Sequence, residues 1–146
     1  MSSAKSRSAA RLAAVQALYQ HAMEETRRAS LLDEFHRHRL GAEIEGDQYA
    51  EAEVAFFDDV VKGAIARRDE LDALLSERLA TGWRLERLDK TMLQVLRAGA
   101  YELVARADVP TGSVISEYVD VAHAFFEARE AKFVNGVLDA VAKGVR

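Results

Sequence analysis

The side chains able to do chemistry are few, and their spacing favours binding over catalysis. Lys5, Arg7 and Arg11 are the only charged residues before Glu24. A cationic arm of this kind can hold a phosphate backbone even on a chain of net charge -4, because charge distribution matters more than the sum. The same three residues equally suit a solvated tail. His36 and His38 are two apart, which on a helix points them about 200° from each other, so they cannot share a metal. There is no HExxH pattern and no cysteine, which excludes the common zinc sites and any disulfide framework. Asp58-Asp59 and Glu24-Glu25 are adjacent pairs that diverge on a helix and cannot form an acid–base dyad. No glycine-rich phosphate loop follows a strand. The expectation is a protein with no catalytic residue, no metal and no cofactor.

The 146 residues suit one domain, which at that size buries about 68–70% of the surface its unfolded chain exposes. The chain is 49% hydrophobic and 30% charged, as in globular proteins generally. No apolar run approaches the ~20 residues that cross a bilayer. The basic N-terminus lacks the apolar stretch of a secretory signal. A cytoplasmic protein without membrane attachment is expected.

The elements that must position these residues read as helices throughout, since apolar residues recur at three and four rather than alternating. A first helix is expected from about Ala4 to Thr26, with Leu12, Val15, Tyr19 and Ala22 on one stripe. A short second helix should run from Leu31 to Arg39, with Ser30 as N-cap and Asp33 completing a capping box. Gly41 and Gly46 bracket a polar loop. The next helix begins near Asp47 and carries Val54, Phe57, Val61, Ala64 and Ile65, then Leu71, Leu74, Leu75 and Leu79. A bend near Arg67 to Asp69 is expected, because a straight helix of more than about thirty residues would overrun a small domain. Gly82 reads as the residue that ends this segment. Asp89 should cap a helix carrying Met92, Val95, Leu96, Gly99 and Leu103. Asp108-Val-Pro-Thr-Gly112 is a turn. Ser113 should open a helix with Ile115, Val119, Ala122 and Phe126 on one face. A charged link, Glu127 to Glu130, then leads to a last helix burying Phe133, Val134, Val137, Leu138 and Val141. The predicted fold is all-α, with about seven helices in two packed helical subdomains of about 1–81 and 82–146, joined near Gly82 and Trp83.

Three stretches together resemble the NusB family. They are Ala14-Val-Gln-Ala-Leu-Tyr19 behind the basic arm, Leu96-Arg-Ala-Gly-Ala-Tyr-Glu-Leu103 followed by Asp108-Val-Pro110, and Lys132-Phe-Val-Asn-Gly-Val-Leu-Asp139. Their order and spacing match the family across nearly the whole chain, and the third is the most specific. It places Asn135 and Gly136 inside an apolar helix, where glycine costs about 1 kcal/mol relative to alanine. The expected compensation is structural: Gly136 lets another helix approach, and Asn135 bonds a neighbouring backbone. Gly99 invites the same reading.

The resemblance implies a non-enzymatic, RNA-binding transcription antitermination factor. Its expected partners are single-stranded boxA-type RNA, the small-subunit ribosomal protein NusE and the transcription elongation complex. Lys5, Arg7 and Arg11 correspond to the family's arginine-rich arm, thinned here by Ser8 and Ala9. Arg7 and Arg11 stand one helical turn apart and share a face. Tyr19 is either an RNA-facing ring or a core-edge tyrosine. Phe125 matches a family phenylalanine close to the RNA surface, where bases stack on aromatics. Phe126 follows it, and one of the two is expected in the core with the other partly exposed. Arg129 in the link and Lys132 in the last helix could add phosphate contacts, helped by unpaired N–H groups at that helix's start, or could be solvated. Two other readings stay open. NusB-like domains also open some RNA cytosine methyltransferases, which would require a further cofactor-binding domain, and some members self-associate, making a homodimer possible.

Overall fold

The computed structural model describes residues 4–24, 30, 32, 51–80 and 82–146. Among these there are six α-helices, one 3-10 turn and no strand. The class is all-α as expected, with one α-helix fewer than the approximate seven. Of the predicted helix from Leu31 to Arg39 only Leu32 is described, helical and buried, and Ser30 is itself helical rather than a cap. Its remainder, with Asp33, His36, His38, the loop at Gly41 and Gly46 and the helix start at Asp47, lies outside the described residues. The chain forms two compact units, Met1–Gly63 and Ala64–Arg146.

In the first unit, helix α1 (Ala4–Glu24) buries Ala10, Ala13, Ala14, Val15, Ala17 and Leu18. This differs from the predicted stripe: Val15 is buried, Leu12 is only half-buried, and Tyr19 and Ala22 are exposed. Alanines ring this helix, so apolar periodicity alone does not choose the inward face. Helix α2 (Glu51–Ala66) buries Phe56, Phe57, Val60 and Val61 at the three-and-four spacing. It stops at the predicted bend, where Arg67 leaves helical geometry at φ -106°, ψ 19° before helix α3 (Arg68–Ser76) begins.

The second unit is built around helix α4 (Lys90–Ala105), which packs on α3, on helix α5 (Thr111–His123) and on helix α6 (Ala128–Val145). Asp89 caps α4 as predicted, its Oδ1 accepting from the backbone N–H of Thr91 at 2.8 Å and Met92 at 3.1 Å. Gly99 lets α6 come close: a Cβ there would lie 2.7 Å from Leu138 Cδ1. The Tyr118 hydroxyl donates to the buried Glu102 carboxylate. Arg97 of α4 grips Asp72 of α3 bidentately, 2.8 Å for each bond. That pair, with the apolar Leu71 and Leu75, holds α3 to the second unit. The division therefore falls upstream of the expected junction at Gly82. Gly82 itself adopts φ 91° in a turn beyond α3, which ends at Ser76, and so does not cap that helix.

Helix α5 opens at Thr111, after Pro110 and without a side-chain cap, rather than at Ser113. Two further ends in this unit are fastened by side chains. The C-terminal carbonyls of α4 and the turn after it are met by Arg146. Its guanidinium donates to the carbonyls of Glu102, Leu103, Arg106 and Val109 and to Thr111 Oγ1, at 2.7–3.1 Å. Residues Glu127 to Glu130 are not a link but the start of α6. The Glu127 side chain accepts from the Glu130 backbone, and Glu130 Oε1 accepts from the Glu127 N–H at 3.0 Å, closing a capping box.

Candidate nucleic-acid interface

The basic arm is an element of the first unit, and its two arginines differ. Arg7 is half-buried, with its guanidinium carbon 4.5 Å from the centroid of the Phe56 ring. Its Nε lies 3.9 Å from Oε1 of the fully buried Glu53. Neither Arg7 Nε nor either Glu53 oxygen has a hydrogen-bond partner among the described residues. The ion pair is long, and the carboxylate beneath the arm offsets part of its pull on a phosphate. Arg11 requires a correction. It is 3% exposed, and its guanidinium lies 4.9 Å from the same Phe56 ring. A planar cation on a ring face is a stable way to bury an arginine, and it removes Arg11 from the set of residues offered to phosphate. Lys5 is helical, but its side chain lies outside the described residues. Tyr19 is 38% exposed near the end of α1.

The remaining site residues belong to the second unit. Phe125 is 40% exposed and Phe126 half-buried, their rings 6.2 Å apart and tilted by 54°. Neither is a core residue, so the expected division of the pair is corrected. Helix α5 ends at His123, and the turn before α6 carries both rings outside either helix's buried face. Arg129 sits in the first turn of α6 with its side chain 94% exposed, 3.2 Å from Glu130. Lys132, exposed, lies in the second turn. The start of α6 does not offer a set of bare N–H groups, because the capping box places two carboxylates there. The Glu127 N–H and then the Arg129 guanidinium hold the Glu130 carboxyl below its ordinary pKa, so it remains ionised.

The structure brings Phe126 and Arg129 onto one groove of about 530 Å³, lined also by Trp83, Arg87, Leu88, Asp89, Met92, Glu130 and Phe133. Lys132 opens elsewhere, onto a groove between α5 and α6 that includes His123 and Asn135. Asn135 and Gly136 are both exposed, and nothing lies within 4 Å of a Cβ placed on Gly136. The packing role expected of them is therefore overturned, and of the glycines read that way only Gly99 has it. Trp83, read from the sequence only as part of a junction, is 57% exposed and rests against Phe133 with ring centroids 5.8 Å apart. The available signal was the sole tryptophan of the chain standing among Arg84 and Arg87.

No helix among the described residues is long and apolar enough to cross a membrane, and no acid or histidine cluster there could hold a metal. The NusB family model matches residues 8–143. The transcription antitermination protein NusB of Novosphingobium aromaticivorans is 76% identical over 144 residues, covering 99% of this chain and 97% of that protein. Among solved structures, NusB of T. maritima superposes with a TM-score of 0.78 at 29% identity, covering 98% of this chain and 93% of that one. A chain from a crystal structure of antitermination factors NusB and NusE in complex with double-stranded RNA superposes with a TM-score of 0.80. At 24% identity over 97% of this chain and 99% of that one, it speaks for the fold.

Proposed function

The chain belongs to the NusB family, and from that premise we propose that it is a non-enzymatic transcription antitermination factor binding boxA-type RNA together with NusE during ribosomal RNA transcription. The observation that carries the reading is the 76% identity to a transcription antitermination protein, sustained over 99% of the chain. The exposed side chains support it. Arg7 at the edge of the arm, with Lys5 beside it in sequence, supplies charge to a phosphate backbone. Tyr19 and Phe125 offer exposed rings to unpaired bases, and such stacking is a common way to read single-stranded RNA. Arg129 and Lys132 add cations at the start of α6. Arg11 supports the arm indirectly, through the Phe56 ring that it shares with Arg7. The factor works in the cytoplasm on the elongation complex.

The test is a titration of labelled boxA-type RNA, followed by anisotropy, with and without NusE. Binding should be tighter with NusE present and should weaken as salt rises, since cations displaced from phosphates drive association. No binding with NusE added, or binding indifferent to salt, overturns the proposal.

A further inference from the structure

We infer that the Trp83 groove is a nucleobase subsite, in which one unpaired base of the bound RNA stacks on Trp83 while its flanking phosphates meet Arg87 and Arg129. This deepens the RNA-binding reading and rests on it. The groove's walls are aromatic and apolar: Trp83 leans on Phe133 at 5.8 Å with a 33° tilt, and Phe126, Leu88 and Met92 complete the lining. Its 530 Å³ falls in the range of small-ligand sites, large enough for a base and its sugar. The ring of Trp83 is 57% exposed despite its size. An exposed indole held by a second ring is a ready stacking platform, and every base presents a face to it.

The charges at the rim favour a nucleotide over an apolar protein segment. Two acids line the groove, and both are committed to helix caps. Asp89 accepts the first N–H groups of α4, and Glu130 accepts the Glu127 N–H. The two cations are placed otherwise: the Arg129 side chain is 94% exposed and meets the half-buried Glu130 at 3.2 Å, and Arg87 is exposed. Pairs that exposed contribute little, so a phosphate can compete for Arg129. The groove adjoins the turn bearing Phe125, whose ring is 6.2 Å from that of Phe126. A strand stacked on Phe125 thus reaches the groove by continuing along one surface of the same unit.

The experiment uses the full chain with its single tryptophan replaced by 5-fluorotryptophan, which gives one fluorine resonance whatever unlabelled partner is added. Labelled boxA-type RNA is titrated in the presence of NusE, and anisotropy and the fluorine spectrum are read together. The expected result is a shift of the Trp83 resonance with the same midpoint as the anisotropy. Removing one particular base, by an abasic substitution, should abolish the shift. Trp83→Ala should weaken RNA binding roughly ten-fold while Trp83→Phe retains most of it, in line with stacking energies measured elsewhere. Arg87→Ala should flatten the log–log salt slope by about 0.7. RNA binding without any Trp83 shift overturns the subsite and leaves the RNA-binding reading intact. A shift caused by NusE alone, unchanged by RNA, overturns it in favour of a protein-docking surface. Failure of RNA to bind at all overturns both.

Discussion

At the scale of single residues, Arg7 and Arg11 carry the same charge one turn apart and yet do different work. Helical spacing correctly placed them on one face, and both guanidiniums do lie over Phe56. Spacing says nothing about whether that face meets solvent or protein, which the packing of the whole unit decides. That is why the burial of Arg11 could not be read in advance. The consequence is separable by mutation. Arg11→Ala should destabilise the fold by about 1–2 kcal/mol, through loss of a desolvated cation–ring contact and of packing, seen as a lower denaturation midpoint. Arg7→Ala should also lower stability, because it uncovers one face of Phe56 and leaves the buried Glu53 without its ion partner, but it alone of the two should flatten the salt dependence of RNA binding, by about 0.7 in log–log slope. The opposite pattern, with Arg11→Ala altering only RNA binding, would return Arg11 to the phosphate ligands.

At the scale of helices, the local signals with side-chain chemistry of their own were legible. The Asp89 cap and the break at Arg67 both follow from nearby residues. Glu127 to Glu130 was misread because a capping box made of two glutamates, with no apolar period across it, looks like a polar connector. The glycines were ambiguous for another reason: a helix tolerates glycine where a neighbour presses in and also where nothing does. These cases predict opposite signs. Gly99→Ala should cost about 1–3 kcal/mol, because Leu138 is fully buried and Tyr118 lies just behind it. Gly136→Ala should stabilise α6 by roughly 0.5–1 kcal/mol, since the site is open. Denaturation of the two variants side by side checks both. The capping box also predicts a pH effect. The folded pKa of Glu130 is depressed, so its contribution is present above the unfolded value and is lost as pH falls through the folded one. Amide exchange at the start of α6 should rise in that acid window, and a Glu130 titration at the ordinary glutamate pKa would refute this.

At the scale of the molecule, the all-helical class was legible because nearly every apolar residue recurs at helical spacing. The place where the chain divides was not. Gly82 and Trp83 look like a junction in sequence, whereas α3 is claimed by the second unit through Asp72–Arg97 and a leucine face, contacts that join residues distant along the chain. Charge is also a property of the whole. With a net of -4 and only five cations proposed to meet the RNA, Lys5, Arg7, Arg87, Arg129 and Lys132, affinity should be only moderately sensitive to salt. The expected log–log slope is about -3 to -4, from roughly 0.7 per phosphate neutralised. A slope near zero would mean that these cations meet no phosphate and would overturn the proposed function, and one much steeper would reveal further cations at the RNA beyond those named.

The Arg146 guanidinium reaches five acceptors spread over Glu102 to Thr111, so the last turn of α6 and the corner between α4 and α5 should breathe as one cooperative unit rather than fray separately. Hydrogen exchange would show it: the amides of Arg106, Val109 and Val114, bonded to the carbonyls of Glu102, Arg106 and Pro110, should lose protection together in Arg146→Ala, while those of α3 keep theirs. One side chain would then govern how readily a whole corner of the second unit opens.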